Sequence, residues 1–170
     1  MRNCVIFCAG EFHGLLEPVS GVSIAADGGL RHTEALGLTP DVILGDFDSL
    51  GYIPDSAAVF PVEKDDTDSM LSAKLGLERG CQRFVIYGGM DGARLDHTVA
   101  NFQMLQYLAE RDAEAYLVGK QYIATVLRNG HIAFGSAAEG IVSVFCMGAN
   151  ATGVDIEGLQ YSLMDGTLTS

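Results

Sequence analysis

Apolar residues in this chain fall into short runs separated by breaks rich in Gly and Asp. Cys4–Ala9, Val22–Ala26, Val42–Leu44, Ala57–Val62 and Phe84–Tyr87 each read as a strand. Runs without polar alternation fit strands buried on both faces, as in a parallel sheet. Helical spacing lies between them. Leu30–Leu36 reads as a helix closed by Gly37, the residue that favours a helix C-terminus. A second helix is expected from the Glu63–Ser69 segment to about Glu78, with Met70, Ala73 and Leu77 on one stripe and Leu71 and Leu75 beside it. A third runs to about Arg111, with Leu95, Val99, Phe102, Leu105 and Leu108 as its apolar stripe.

The pattern changes near residues 112–120. Ala115–Val118, Tyr122–Leu127, His131–Phe134, Ile141–Phe145 and Gly153–Ile156 follow one another as β-type runs. Asn129-Gly130 is a hairpin signal between two of them. Alternating strands and helices followed by consecutive strands predict two domains. The expected division is an α/β domain over 1–114 with a Rossmann-like parallel sheet and flanking helices, then an all-β domain over 115–170.

Each break after a predicted strand carries acid. Asp27-Gly28-Gly29 follows the second strand and opens a helix, a backbone suited to close approach of a phosphate or ribose. Asp46 and Asp48 stand two apart after the third, so an extended chain points both the same way. A turn of solvated Asp residues would look similar. Lys64-Asp65-Asp66-Thr67-Asp68 precedes the second helix. Helix capping accounts for one or two of these acids. Gly88–His97 holds Gly89, Gly92, Arg94 and Asp96; its Gly spacing is neither the P-loop nor the dinucleotide pattern. In an open parallel sheet the carboxyl ends of the strands form one ligand crevice. That brings Asp27, Asp46, Asp48, Asp65, Asp68 and Asp96 to one edge, with Lys64 and Arg94 among them. Carboxylates, two cations and Gly-rich backbone suit a polyphosphate held with Mg²⁺.

Composition narrows the classes. The net charge is −12 with only ten Lys and Arg over 170 residues, so no basic face for nucleic acid is expected. No apolar run approaches a membrane span, and no signal peptide is read. The four cysteines, Cys4, Cys8, Cys81 and Cys146, lack Cys-x-x-Cys spacing and are expected as reduced thiols in a cytoplasmic protein. His13, in the loop after the first strand, is a candidate substrate contact or a solvated loop residue.

The chain resembles the thiamine pyrophosphokinases. The matching pieces are Asp27-Gly-Gly29, Gly45-Asp-Phe-Asp-Ser49, Lys64-Asp-Asp-Thr-Asp68 and Gly92-Ala-Arg-Leu-Asp-His-Thr-Val-Ala-Asn101, continuing through Gly158-Leu-Gln-Tyr-Ser-Leu163. The resemblance implies transfer of pyrophosphate from ATP, as co-substrate, to the hydroxyl of thiamine, giving thiamine diphosphate and AMP. It implies Asp46, Asp48 and Asp68 as Mg²⁺ ligands with Asp65 and Asp96 nearby. Asp27, Gly28, Gly29, Lys64, Thr67, Gly89, Gly92 and Arg94 would line the nucleotide, and Asp46, Asp48, Asp68, Arg94 and Asp96 would carry catalysis. It also implies a homodimer, with a C-terminal β-sandwich that binds thiamine near the subunit interface. Family members continue past the segment matching Leu168–Ser170, so the sandwich is expected to be truncated here. Ala93 stands where the family commonly has Gly.

Two other functions fit the same residues. One is a catalytically impaired homologue that holds nucleotide and metal without a complete thiamine pocket. The other is a different Mg²⁺-dependent phosphohydrolase on a similar sheet. The products separate them: AMP, ADP with free phosphate, or nothing.

Overall fold

The computed structural model describes residues 1–47, 50–55, 57–59 and 65–170. Residues 1–131 and 132–170 form two separate compact units. The first unit is built on a seven-stranded sheet. Its strands are β1 (Asn3–Phe7), β2 (Val22–Ala26), β3 (Val42–Gly45), β4 (Ala58–Val59), β5 (Arg83–Tyr87), β6 (Glu114–Val118) and β7 (Ile123–Thr125). They lie in the order β4-β3-β2-β1-β5-β6-β7. β1 to β6 are parallel, and β7 returns antiparallel along β6.

The chain winds outward from β1 through β2, β3 and β4. It then crosses back through a helix to place β5 on the other side of β1, in the register Cys4↔Phe84 and Ile6↔Ile86. The winding reverses at β1 and β5, and loops there diverge to leave a crevice beyond the strand ends.

Both sheet faces are covered, which is why the strands read as apolar runs. Cys4, Ile6, Ile24, Phe84, Ile86 and Leu117 face one side and pack with the helices α2 (Asp68–Glu78) and α3 (Leu95–Ala109). Val5, Phe7, Val85 and Tyr87 face the other side, with Phe12, Val19 and Leu38 against them. Near the β2 end, Ala25 packs with Phe47, Leu50 and Leu30, the first residue of α1 (Leu30–Ala35).

The mixed α/β architecture expected from the sequence is therefore present, with an antiparallel β region after it. Two helix stripes differ in detail. α2 buries Ser69, Ser72, Ala73 and Gly76, while Met70, Leu71, Leu75 and Leu77 are only partly buried around that small-residue face. Small side chains let the helix axis approach β1 and β5. α3 buries Asn101, Met104, Leu105 and Leu108, whereas Leu95 and Val99 are exposed. At 3.6 residues per turn, Leu95 and Val99 fall on the opposite side of the helix from that buried face.

The expected boundary at 114/115 falls inside the main sheet. β6 pairs in parallel with β5 through Phe84↔Ala115 and Ile86↔Leu117, and β7 pairs with β6. The β-rich run that starts there is the last part of the α/β sheet. In the second unit, β8 (Ala151–Ile156) and β9 (Leu163–Leu168) form an antiparallel pair. His131–Phe134 and Ile141–Phe145 form no strands, contrary to expectation, and are largely exposed. A β-type run becomes a strand only where another strand takes its N–H and C=O groups. Residues 60–62 of the expected fourth strand lie outside the described residues. Among the described residues no helix is long and apolar enough to cross a membrane.

Candidate active site

The crevice at the ends of β1 and β5 is a cleft of about 270 Å³. Each wall comes from one of the loops that leave the sheet edge. The segment after β1 contributes Cys8, Ala9 and Gly10, and the end of β2 contributes Ala26 and Asp27. The start of α2 supplies Asp68 and Ser69. The loop after β5 supplies Gly88, Gly89, Met90, Gly92 and Ala93, and α3 with its N-cap residue supplies Arg94, His97, Thr98 and Asn101.

The backbone at this edge is held in uncommon conformations. Asp27 has φ 48° and Phe47 has φ 59°, values that non-glycine residues seldom adopt and that concentrate at functional sites. Gly45 has φ 150°, and a Cβ there would sit 3.0 Å from the Cα of Asp27. A larger residue would push the β3 turn, and Asp46 after it, away from Asp27. Gly29 plays a packing part. A Cβ on it would lie 1.9 Å from the Phe7 carbonyl oxygen, so the turn after β2 seats directly on β1.

Side chains hold the cleft loops from behind. The Asn101 amide donates to the Gly89 carbonyl (2.6 Å), and its oxygen accepts from the Ser69 hydroxyl (2.6 Å). Ser69 in turn lies 3.0 Å from the Thr67 hydroxyl, and Thr67 caps α2 by accepting from the Met70 N–H (3.2 Å). Thr98 donates to the Met90 carbonyl (2.9 Å). His32 lies 2.8 Å from the Gly10 carbonyl through Nε2.

The expected site residues divide as follows. Asp27, Asp68, Gly89, Gly92 and Arg94 line the one cleft. Asp46 follows the β3 turn and is half-buried. Gly28 and Gly29 are buried beneath the cleft and are not among its lining residues. Thr67 caps the helix that carries Asp68. Asp65 is exposed, and Asp66 pairs with Lys74 at 2.5 Å. Asp48 and Lys64 lie outside the described residues. His13 stands 3.3 Å from Asp91 and lines a smaller hollow with Phe12, Tyr87 and Lys120.

Arg94 holds Asp96 with two hydrogen bonds, Nε to Oδ1 at 3.2 Å and Nη2 to Oδ2 at 2.6 Å. The guanidinium keeps the Asp96 carboxyl below its usual range. On the cleft floor, burial pushes the Cys8 thiol up to about 12, with the Asp68 charge adding to the effect. Cys8 is therefore a neutral, inert wall rather than a nucleophile.

Charge alone does not reveal Cys8, Gly10, Ser69, Thr98 and Asn101. A polar spacing could have found two of them, Thr98 and Asn101, which recur with Arg94 and His97 at i, i+3, i+4 and i+7. That is one helix face, and the cleft is where it points.

A family model for the thiamin pyrophosphokinase catalytic domain matches residues 15–117. The chain belongs to the thiamin pyrophosphokinase family. Members of the family are enzymes that make thiamine diphosphate. The matched segment carries most of the cleft, from Asp27 to Asn101. Three thiamin pyrophosphokinase structures share the fold. The Bacillus subtilis enzyme superposes with a TM-score of 0.83 at 22% identity, covering 99% of this chain and 85% of that one. The Geobacillus thermodenitrificans protein gives 0.77 at 21% identity, covering 100% and 84%. A family protein from Enterococcus faecalis gives 0.72 at 22%, covering 99% and 84%. No curated protein sequence gives a significant match.

Proposed function

We infer that this protein transfers the terminal pyrophosphate of ATP to the hydroxyl of thiamine. The thiamine oxygen bonds to the β-phosphorus as the bond from that phosphorus to the α–β bridging oxygen breaks. AMP leaves with that oxygen, and the hydroxyl proton passes to solvent or base. The observation that carries this reading is the cleft itself, where Asp27, Asp68 and Arg94 meet the Gly-rich loop at the reversal between β1 and β5.

The lining groups suit Mg²⁺ with a polyphosphate. Mg²⁺ commonly takes one or two carboxylates and fills the rest of its octahedral shell with waters and phosphate oxygens. Asp27 and Asp68 are carboxylates that line the cleft. Among the described residues no three potential ligands gather into a complete cage, which suits a metal that arrives with nucleotide. Asp46 and Asp48 are proposed to complete the ligand set. When bound, the ion would neutralise phosphate charge and polarise the transferring group.

The chain's own residues position the phosphates. The Gly88–Gly92 loop permits close backbone approach, and the Arg94 fork matches phosphate oxygens in two parallel bonds. In this reading Arg94 exchanges Asp96 for phosphate oxygens. The α/β part, whose sheet runs on through β6 and β7, is proposed as the catalytic domain, and the β-rich part after it as the thiamine-binding and dimerising one. The exposed Ile141, Phe145 and Tyr161 provide apolar surface for thiamine or a second copy. The free thiols of Cys4, Cys8 and Cys81 suit a reducing cytoplasm.

Incubation with ATP, Mg²⁺ and thiamine tests the reading. AMP release that requires all three is the expected result. ADP with free phosphate and no need for thiamine would favour a phosphohydrolase instead.

A further inference from the structure

Asn101 has no charge, yet it is among the most buried polar residues at the cleft. It is 4% exposed, and Ser69 beside it is 9% exposed. Its two amide atoms face two different walls. Nδ2 donates to the Gly89 carbonyl, and Oδ1 accepts from Ser69, each at 2.6 Å. Gly89 belongs to the loop after β5, and Ser69 directly follows Asp68 at the start of α2. α3, which carries Asn101, bridges the two.

A buried amide must satisfy both ends or lose stability. That requirement fixes one spacing between the loop and the α2 N-terminus. The loop is also tied by Thr98 to the Met90 carbonyl, by the Gly10 N–H to the Gly88 carbonyl and by Asp91 to Lys120 and Tyr122; Asn101 is the tie that joins it to the start of α2. We propose that Asn101 is a positioning residue for the polyphosphate: it locks the Gly-rich loop and the Asp68 carboxylate into one register across the cleft. The inference rests on the nucleotide reading above. It adds a part for a residue that acts through the two walls it joins. Small displacements of groups that must act together on one ligand are costly, so breaking either arm should loosen the grip on the phosphates.

The two arms can be cut separately. Asn101→Asp keeps an acceptor for Ser69 but sets an acceptor against the Gly89 carbonyl. Ser69→Ala removes the other arm and leaves α2 capped by Thr67. The measurement is calorimetric titration of the whole chain with α,β-methylene-ATP and Mg²⁺, an analogue that cannot release AMP. Each single change should weaken binding by at least about tenfold, and the double change should cost no more than the worse single, because both cut one linkage. Affinities within about twofold of wild type in variants that melt cooperatively would make Asn101 a packing residue only and overturn the proposal, as would fully additive losses. If Asn101→Asp fails to fold, Ser69→Ala alone decides by the same criterion. A wild-type chain that binds the analogue but releases no AMP from ATP and thiamine would overturn the reaction while leaving this test intact. A wild-type chain that does not bind it would overturn both.

Discussion

Asp68 begins α2 and lines the cleft, where its charge also acts on the Cys8 thiol. Replacing it by Asn keeps the shape and removes the charge. Turnover should fall by roughly a hundredfold or more, because the lost term is charge stabilisation at the transferring group. Folding should change little, since Thr67 still caps the helix through the Met70 N–H. Near-normal turnover in Asp68→Asn, measured by AMP release, would remove Asp68 from the reaction. A second residue gives a pH prediction. Asp41 accepts from the Ser23 N–H at 2.8 Å and from its hydroxyl at 2.9 Å, and these bonds hold its carboxyl below the usual range. A carboxyl depressed by folding stabilises above its unfolded pKa, and that contribution fades as pH falls through the folded value. Asp41→Asn should therefore be less stable than wild type at neutral pH, and the two should converge in acid once the folded carboxyl is protonated. Denaturant titrations across pH check this. A constant difference down to low pH would mean that the charge contributes nothing.

At the level of elements, α2 presses small residues onto the sheet. A Cβ on Gly76 would lie 2.5 Å from Cε1 of Phe84 and 3.1 Å from the Cys4 sulfur, both buried. Gly76→Ala gains about 1 kcal/mol of helix propensity. Overpacking typically costs about 1–3 kcal/mol, and neither neighbour has open space to enter. Net destabilisation is the expected outcome, seen as a lower urea midpoint at unchanged slope. A raised midpoint would show that the contact relaxes freely. The same packing explains what the sequence made legible. β1, β2, β3 and β5 stand out because strands covered on both faces are mostly apolar, with polar residues such as Asn3, Ser23 and Arg83 at or near their starts. The α2 face does not stand out, because Ser69, Ser72 and Gly76 carry no hydrophobic signal. The exposed Leu95 and Val99 mislead for the opposite reason: they are apolar but lie across the helix from Met104, Leu105 and Leu108. The second unit was least legible, since Ile141–Phe145 has β character without a pairing strand. At the site, Asp27, Asp68 and Arg94 were readable as charges after strand ends. Ser69 was not, and the helical spacing of Asn101 shows its face but not its role, because that role lies in whom each bonds.

The whole molecule carries a net charge of −12, which repels a bare polyphosphate. In the proposed reading, nucleotide and cation enter together, and each should bind poorly alone. A ligand at one hundred times its Kd stabilises the folded state by about 2.7 kcal/mol, worth roughly 5–10 °C for a domain of this size. ATP with Mg²⁺ should raise the melting temperature of the first unit on that scale, and ATP with a chelator should not. Equal shifts with and without the cation would separate the metal from nucleotide binding. The central claim is the destination of the phosphates, and phosphorus NMR of a reaction with ATP, Mg²⁺ and thiamine follows it directly. Pyrophosphoryl transfer predicts AMP and thiamine diphosphate appearing in equal amounts from the first time point. ADP with thiamine monophosphate, or ADP with inorganic phosphate, would contradict it.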